Sequence, residues 1–359
     1  MRTLCLSLLL AVVPAASIRA SNPVEHPDVV SKLRLLELWA EDQRAYQRQP
    51  GVVIGIVHDQ HLIWARGFGQ ADAESERAAL PTTPFHLASL TKPFASTILM
   101  QLVEEGLVGL DDPTSQYGVT VESSGIVTVR HLLTHTSEGT PGSQYAYNGN
   151  RFGLLGQVIQ SVSGRSFGEL LVEQILVPLG LTDTAPNPRD PQVFELTGLN
   201  RTQFMARMAA GYQRTAGSVI PAQHPSYFGT AAGLVASAED VATFSLAIDQ
   251  GLFLDPATWE SVFTPAVSNG GQTLPYGLGW FIHYHEGVKL EWHYGHWTTN
   301  SSLIVRAPEK GLTFVVLANT PELSARYGLG GDSDVLRSDV ARLFVEAYVT
   351  GNRPFPAGG

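Results

Sequence analysis

The chain is nearly without thiols. Of its 359 residues only Cys5 is a cysteine, so disulfides, a cysteine nucleophile and cysteine metal ligands drop out once the segment carrying it is set aside. Lysine is almost as scarce, with Lys32, Lys92, Lys289 and Lys310 among 23 basic residues. No later run reaches the ~20 apolar residues of a membrane span. The formal net charge of −10 argues against nucleic acid and anionic lipid as partners. A small-molecule ester, amide or peptide substrate is the partner expected, and oligomeric state is left open.

Residues 1–20 read as an export signal outside the fold. Arg2 supplies a positive start, Leu4 to Val13 an apolar core too short to span a bilayer, and Ala15, Ala16 and Ala20 the small residues for cleavage after Ala16 or Ala20. The expected destination is a periplasm or the medium. Cys5 falls inside this segment, which leaves the mature chain without a thiol. The remaining ~335 residues exceed the usual ~100–200 per domain. A composition with 44% hydrophobic and 16% charged residues suits an enzyme with a sizeable core.

Hydrophobic spacing lays out the architecture. Leucines and alternating charges give an amphipathic helix over 29–47, followed by a hairpin with strands at 51–57 and 62–68. Ala95, Ile98, Leu99 and Leu102 fall at i, i+3, i+4 and i+7 on a helix ending near Gly106. Residues 107–235 read as short helices (128–136, 152–162, 167–179) and loops with no strand pair. Helices at 238–250 and 256–263 precede strands at 276–284, 289–294, 301–306 and 312–318, and a last helix covers 335–348. The predicted class is α+β. An antiparallel sheet drawn from about 25–92 and 236–350 is flanked by helices, with a helical subdomain over about 93–235 and a tail at 351–359.

Ser89-Leu90-Thr91-Lys92 stands just before the helix that ends near Gly106. Residues three apart share a helix face, and a neutral amine beside a serine hydroxyl can take its proton and make it a nucleophile. Pro93 is tolerated only in a first turn, so Ser89 is expected at a helix N-terminus. Unpaired N–H groups and the helix dipole there favour a developing negative charge.

The stretches around this motif extend the pattern: Phe85 to Phe94, Leu110-Asp111-Asp112-Pro113, Thr128 to Ser137, Phe152-Gly153-Leu154-Leu155-Gly156, Ala232-Gly233-Leu234 and Tyr276-Gly277-Leu278-Gly279-Trp280. In this order they resemble the serine β-lactamase-like family, which takes in class C β-lactamases, penicillin-binding DD-peptidases and esterase relatives. The resemblance implies a beta-lactamase/transpeptidase-like fold, an acyl-enzyme on Ser89 and no metal or organic cofactor. It implies a base pair of Lys92 and Tyr147, either of which can hold the serine's proton. Tyr147 is reached by counting back from Leu154-Leu155-Gly156 to the family's Tyr-x-Asn. The third residue there is Gly149, and Asn148 and Asn150 flank it as stand-ins for the missing amide. His293-Tyr294-Gly295 fits the His-x-Gly form of the third motif, and the His296 N–H would join that of Ser89 around the oxyanion.

Histidine at 293 and glycine at 149 point away from substrates with a mandatory carboxylate and toward small esters or amides. The alternatives are a β-lactamase or D-Ala-directed carboxypeptidase, with Arg337 or Arg342 as anchor, and a catalytically impaired binding protein of the same fold. Structural roles also stand: Ser89 as a plain helix cap, Tyr147 as a core tyrosine, His293 as an ordinary strand histidine. His131 and His135 stand four apart, but Leu132 occupies the place of a zinc peptidase's glutamate. His283 and His285 share a strand face. Gly164-Arg165-Ser166-Phe167-Gly168 matches a Gly-x-Ser-x-Gly elbow, which needs a preceding strand; a helix precedes it, so Ser166 reads as a cap. Gly328-Leu329-Gly330-Gly331 reads as a turn.

Overall fold

Alternation along the first hairpin decides the layering. The computed structural model describes residues 27–189 and 191–351 of the 359; the expected signal segment and all but the first residue of the expected tail lie outside the described residues. Helix α1 (Pro27–Gln47) leads to β1 (Gly51–His58), and Asp59 and Gln60 turn the chain into β2 (His61–Asp72). Both turn residues have positive φ, 46° and 68°, the handedness that matches strand twist in a two-residue hairpin. β1 is buried along its whole length. Val53 faces one core, while Val52, Ile54 and Ile56 face another, as a period of two requires.

The strands that follow are β3 (Arg77–Ala78), β4 (Phe85–His86), β5 (Gly211–Thr215), β6 (Ser218–Ala222), β7 (Val235–Ala236), β8 (Phe281–His285), β9 (Val288–Trp297), β10 (Asn300–Ala307) and β11 (Leu312–Ala318). Seven of them form one antiparallel sheet in the order β3-β2-β1-β11-β10-β9-β8. The N-terminal hairpin thus joins the C-terminal strands through β1 and β11, with Val52 opposite Ala318. α1 covers one face through Val29, Leu33, Leu36 and Ala40, beside Phe344, which stacks on Phe314 at 4.6 Å. The other face carries α2 (Lys92–Glu104) and the helix Ala238–Asp249, joined by Phe94 and Phe244 stacked at 3.8 Å. Between them lie α3 (Val129–Leu133), α4 (Gly149–Gly153) and α5 (Leu155–Ser163).

Three expectations are corrected. Residues 107–235 do contain a strand pair, β5 and β6, closed by Ala216 and Gly217 at φ 48° and 82°; Pro221 and the polar residues around the turn mask its alternation. Residues 276–280 do not extend β8. Gly279 has φ 88°, and Gly277 lies so close to the Val262 carbonyl that a Cβ would stand 2.4 Å from it. The last helix is broken into a 3₁₀ turn (Val335–Arg337), an α-helical segment (Asp339–Phe344) capped by Ser338, and a π turn (Val345–Val349).

Candidate active site

Strand ends grip the Ser89 turn from two sides. β4 pairs with β7, the Leu87 N–H donates to the Leu234 carbonyl at 2.8 Å, and the Thr91 hydroxyl accepts the Leu234 N–H at 3.0 Å. Ala88 is held at φ 48°, a conformation costly for a residue with a Cβ. It starts a 3₁₀ turn, Ala88–Thr91, that runs straight into α2. Ser89 therefore sits half-exposed at the N-terminus of a helical run, where the first N–H groups have no intrahelical partner. From the other side the Ser302 hydroxyl donates to the Leu87 carbonyl at 2.7 Å. A Cβ on Gly295 would lie 1.9 Å from that same oxygen, so glycine is what allows β9 to rest against the turn.

Lys92 opens α2 one turn beyond the serine. Its Nζ lies 2.8 Å from Ser89 Oγ and 2.9 Å from the Ala231 carbonyl oxygen, and 5.0 and 5.3 Å from the ring centres of Tyr147 and Phe152. It is fully buried with no carboxylate among its partners, and desolvation brings its pKa down to about 7. Burial pushes the Tyr147 hydroxyl the other way, well above 10. The Tyr294 hydroxyl raises it further and the Ser89 hydroxyl lowers it, although Tyr147 Oη forms no hydrogen bond of normal geometry. Near pH 7 the tyrosine is a phenol, and the amine is the group that can be neutral.

The other expected site residues divide. Gly149 faces Lys92: a Cβ there would stand 3.8 Å from Nζ. Asn148 turns away. Its side-chain oxygen caps α4 on the Arg151 N–H at 3.0 Å and its amide donates to Glu138, so the structure does not bring it to Ser89; Asn150 is exposed. His293 is buried with both nitrogens engaged. Nδ1 donates to the Tyr294 carbonyl at 2.7 Å, which leaves Nε2 to accept the Tyr276 hydroxyl at 2.9 Å. Burial, and next the Lys92 charge, hold His293 well below 6.5. It is a neutral support with no donor left for a substrate.

His296 is exposed on the edge of β9. With Tyr145, Tyr147, Tyr294, Leu329 and Gly330 it lines a cavity of about 550 Å³ whose lining contains no lysine or arginine. Arg337 and Arg342 do not line that cavity, and Arg342 donates to Asp339 at 2.7 Å. A separate cavity of about 390 Å³ beside Arg130 and His131 contains none of the groups around Ser89. His131 accepts the Thr128 N–H at 3.1 Å, and Ser166 caps its helix in a box with Glu169. His283 stands 3.7 Å from Asp334.

Sequence reasoning missed His135, Tyr276 and the Ala231 carbonyl as parts of the site. His135 Nδ1 accepts the Asn148 N–H at 3.1 Å, and its ring centre lies 4.2 Å from that of Tyr147. Its φ of 54° ends α3 and turns the imidazole inward. The signals were the stretches Thr128 to Ser137, Ala232 to Leu234 and Tyr276 to Trp280, whose residues or neighbours supply all three groups.

A model of the Beta-lactamase family matches residues 36–333. The chain belongs to that family. The family's members are serine acyl-transferases and hydrolases, and its fold is that of the beta-lactamases and transpeptidases. The chain is 25% identical over 343 residues to penicillin-binding protein 4* of Bacillus subtilis (strain 168), covering 82% of this chain and 72% of that protein. It is also 25% identical over 229 residues to the D-alanyl-D-alanine-carboxypeptidase/endopeptidase AmpH of Escherichia coli (strain K12), covering 53% of this chain and 59% of the relative. Among solved structures, the octameric penicillin-binding protein homologue from Pyrococcus abyssi superposes with a TM-score of 0.72 at 26% identity, over 83% of this chain and 76% of that one. Among the described residues no helix is long and apolar enough to cross a membrane.

Proposed function

We propose that this chain is an exported serine hydrolase that forms an acyl-enzyme on Ser89 and acts on small esters or amides without a mandatory carboxylate. The observation that carries the reading is the Lys92 amine, buried, free of any acidic partner and 2.8 Å from Ser89 Oγ. Neutral Lys92 takes the hydroxyl proton as Oγ bonds to the carbonyl carbon. The N–H groups of Ser89 and His296 hold the oxyanion, each such donor contributing roughly 3–4 kcal/mol. Collapse expels the alkoxide or amine, which takes its proton from the Lys92 ammonium or through the Tyr147 hydroxyl. Water then cleaves the ester and the proton returns to Ser89.

The substrate side follows from the cavity wall. Tyrosine faces and one histidine favour an apolar or aromatic acyl group, and a cavity without lysine or arginine offers a substrate carboxylate no fixed cation. A second reading, hydrolysis of D-alanyl peptides or β-lactams, draws support from the names of the relatives. The two are separated by comparing kcat/KM for p-nitrophenyl esters, a penicillin and a D-alanyl-D-alanine peptide, with wild type and Ser89→Ala. Ester turnover that exceeds the others and vanishes in Ser89→Ala is expected. Faster penicillin or peptide hydrolysis would select the second reading, and no Ser89 adduct with any reagent would leave a binding protein.

A further inference from the structure

Tyr147 is held at its backbone and its ring rather than at its hydroxyl, which is buried and forms no hydrogen bond of normal geometry among the described residues. One residue grips both. The His135 carbonyl accepts the Ala146 N–H at 2.8 Å and its Nδ1 accepts the Asn148 N–H at 3.1 Å, so His135 takes the amides on either side of Tyr147. Its imidazole centre lies 4.2 Å from that of the Tyr147 ring, on which Phe281 also stacks at 6.0 Å. An apolar ring could fill the space among Tyr145, Phe152 and Tyr276 without the cost of burying a polar group. What the imidazole adds is an acceptor. A backbone N–H only donates, so Nδ1 carries the lone pair and Nε2 the hydrogen, and Nε2 is buried without a partner among the described residues. The hydrogen bond of the ring is spent on the loop that carries Tyr147.

Resting on the acyl-enzyme reading above, we infer that His135 is a positioning residue for acylation, fixing the Tyr147 phenol where it protonates the leaving group. As the bond from the acyl carbon to the departing oxygen breaks, the phenol gives its proton to that oxygen and takes one from the Lys92 ammonium. A general acid must lie within hydrogen-bond reach of the atom it protonates, and a displacement of about 1 Å costs on the order of a hundredfold. With the hydroxyl untethered, that placement comes from the two amides and the stacked ring. His135 acts through Tyr147 and not on the substrate. Burial, and next the Lys92 charge, hold its pKa well below 6.5, so Nδ1 stays an acceptor at neutral pH.

The test sets two esters of one acid against paired variants. His135→Ala and His135→Asn both remove the ring, but asparagine keeps an acceptor at the δ position and tolerates the φ of 54°. With ethyl acetate, whose alkoxide needs a proton to leave, kcat/KM of His135→Ala should fall about a hundredfold. With p-nitrophenyl acetate, whose phenolate leaves unprotonated, it should stay within about threefold. His135→Asn should recover about tenfold or more of the loss on the ethyl ester. In a Tyr147→Phe background, His135→Ala should cost no more than about twofold further. Equal losses on the two esters, an undiminished His135→Ala effect in Tyr147→Phe, or a Tyr147→Phe protein as active on ethyl acetate as wild type each overturn the inference and leave His135 a packing residue. Should His135→Ala fail to fold, His135→Gly, which suits the same backbone, takes its place in both backgrounds. Ester turnover that survives Ser89→Ala would instead remove the acyl-enzyme reading itself, and this inference with it.

Discussion

Two lysine or arginine side chains are buried among the described residues, and they are treated in opposite ways. Lys92 is fully buried with a hydroxyl and a carbonyl for partners; Arg306, 2% exposed, has two carboxylates. Arg306 sits on β10 opposite Glu291 on β9, 2.8 Å from its carboxylate, and also pairs with Asp249 at the end of the helix Ala238–Asp249. Its guanidinium lies over Phe263 and Trp280 at 5.1 and 5.7 Å. A guanidinium cannot shed its proton inside a protein, so it must be paired. Lysine can, and deprived of an acid it does. Burial even pushes the Glu291 carboxyl up, against the pull of Arg306 and Lys289. The presence or absence of a counter-ion is what separates the structural cation from the base proposed above.

Removing each cation should break the comparison most sharply. Lys92→Met is expected to lower kcat/KM about 10³–10⁴-fold. It should also stabilise the fold by about 2 kcal/mol, the desolvation of lysine being relieved but the Ala231 carbonyl left unpaired. Arg306→Met should do the reverse. It leaves the buried Glu291 carboxylate with only Lys289, 3.5 Å away, and frees the more exposed Asp249, at a cost of about 3 kcal/mol in urea unfolding, while kcat/KM of the folded fraction stays within about twofold. A Lys92→Met protein that loses stability as Arg306→Met does would end the contrast.

Giving Lys92 its missing acid should then make it resemble Arg306. On the proposed mechanism the neutral amine is the active form, so kcat/KM is expected to rise with pH through about 7 in wild type. Gly149→Asp should move that limb upward by about 1–2 units, which the pH–rate profile reads directly. The smallest effect concerns stability. His86, His135 and His293 are buried and held well below 6.5, chiefly by desolvation. They stay neutral in the folded chain when the unfolded chain begins to bind protons, so stability should be lost as pH falls below about 6.5. A Tm that drops over that range in wild type, and drops less in His86→Asn, would confirm the sign.

What the sequence made legible was local. Ser89 and Lys92 are three apart on one helical run, and the first hairpin announces itself by two apolar runs around a polar turn, so the local sequence places both. Tyr147 needed the resemblance, since nothing near it in the chain marks it. Asn148 and His293 were identified as motif neighbours, but their side-chain directions depend on Glu138, Arg151 and Tyr276, brought in by tertiary packing. His135 escaped because its role begins with a left-handed turn after α3 that the neighbouring residues do not mark, although histidine adopts that conformation more readily than most. The β5–β6 hairpin escaped because its turn is Ala-Gly rather than Asn-Gly or Asp-Gly.

The pairing of β1 with β11 has a consequence for how the protein comes into being. The carbonyl of Leu87, two residues before Ser89, is held by a hydroxyl 215 positions further on, and β1 gains its second neighbour only when β11, the last strand of the sheet in the chain, is made. Such distant pairing makes folding slow, because the closure of long loops must precede the contacts that reward it. A nascent chain cannot complete the turn that carries Ser89 until most of its length is available. If the chain is exported as proposed, that delay would keep it pliable through synthesis and passage and would complete the turn that carries Ser89 only afterwards.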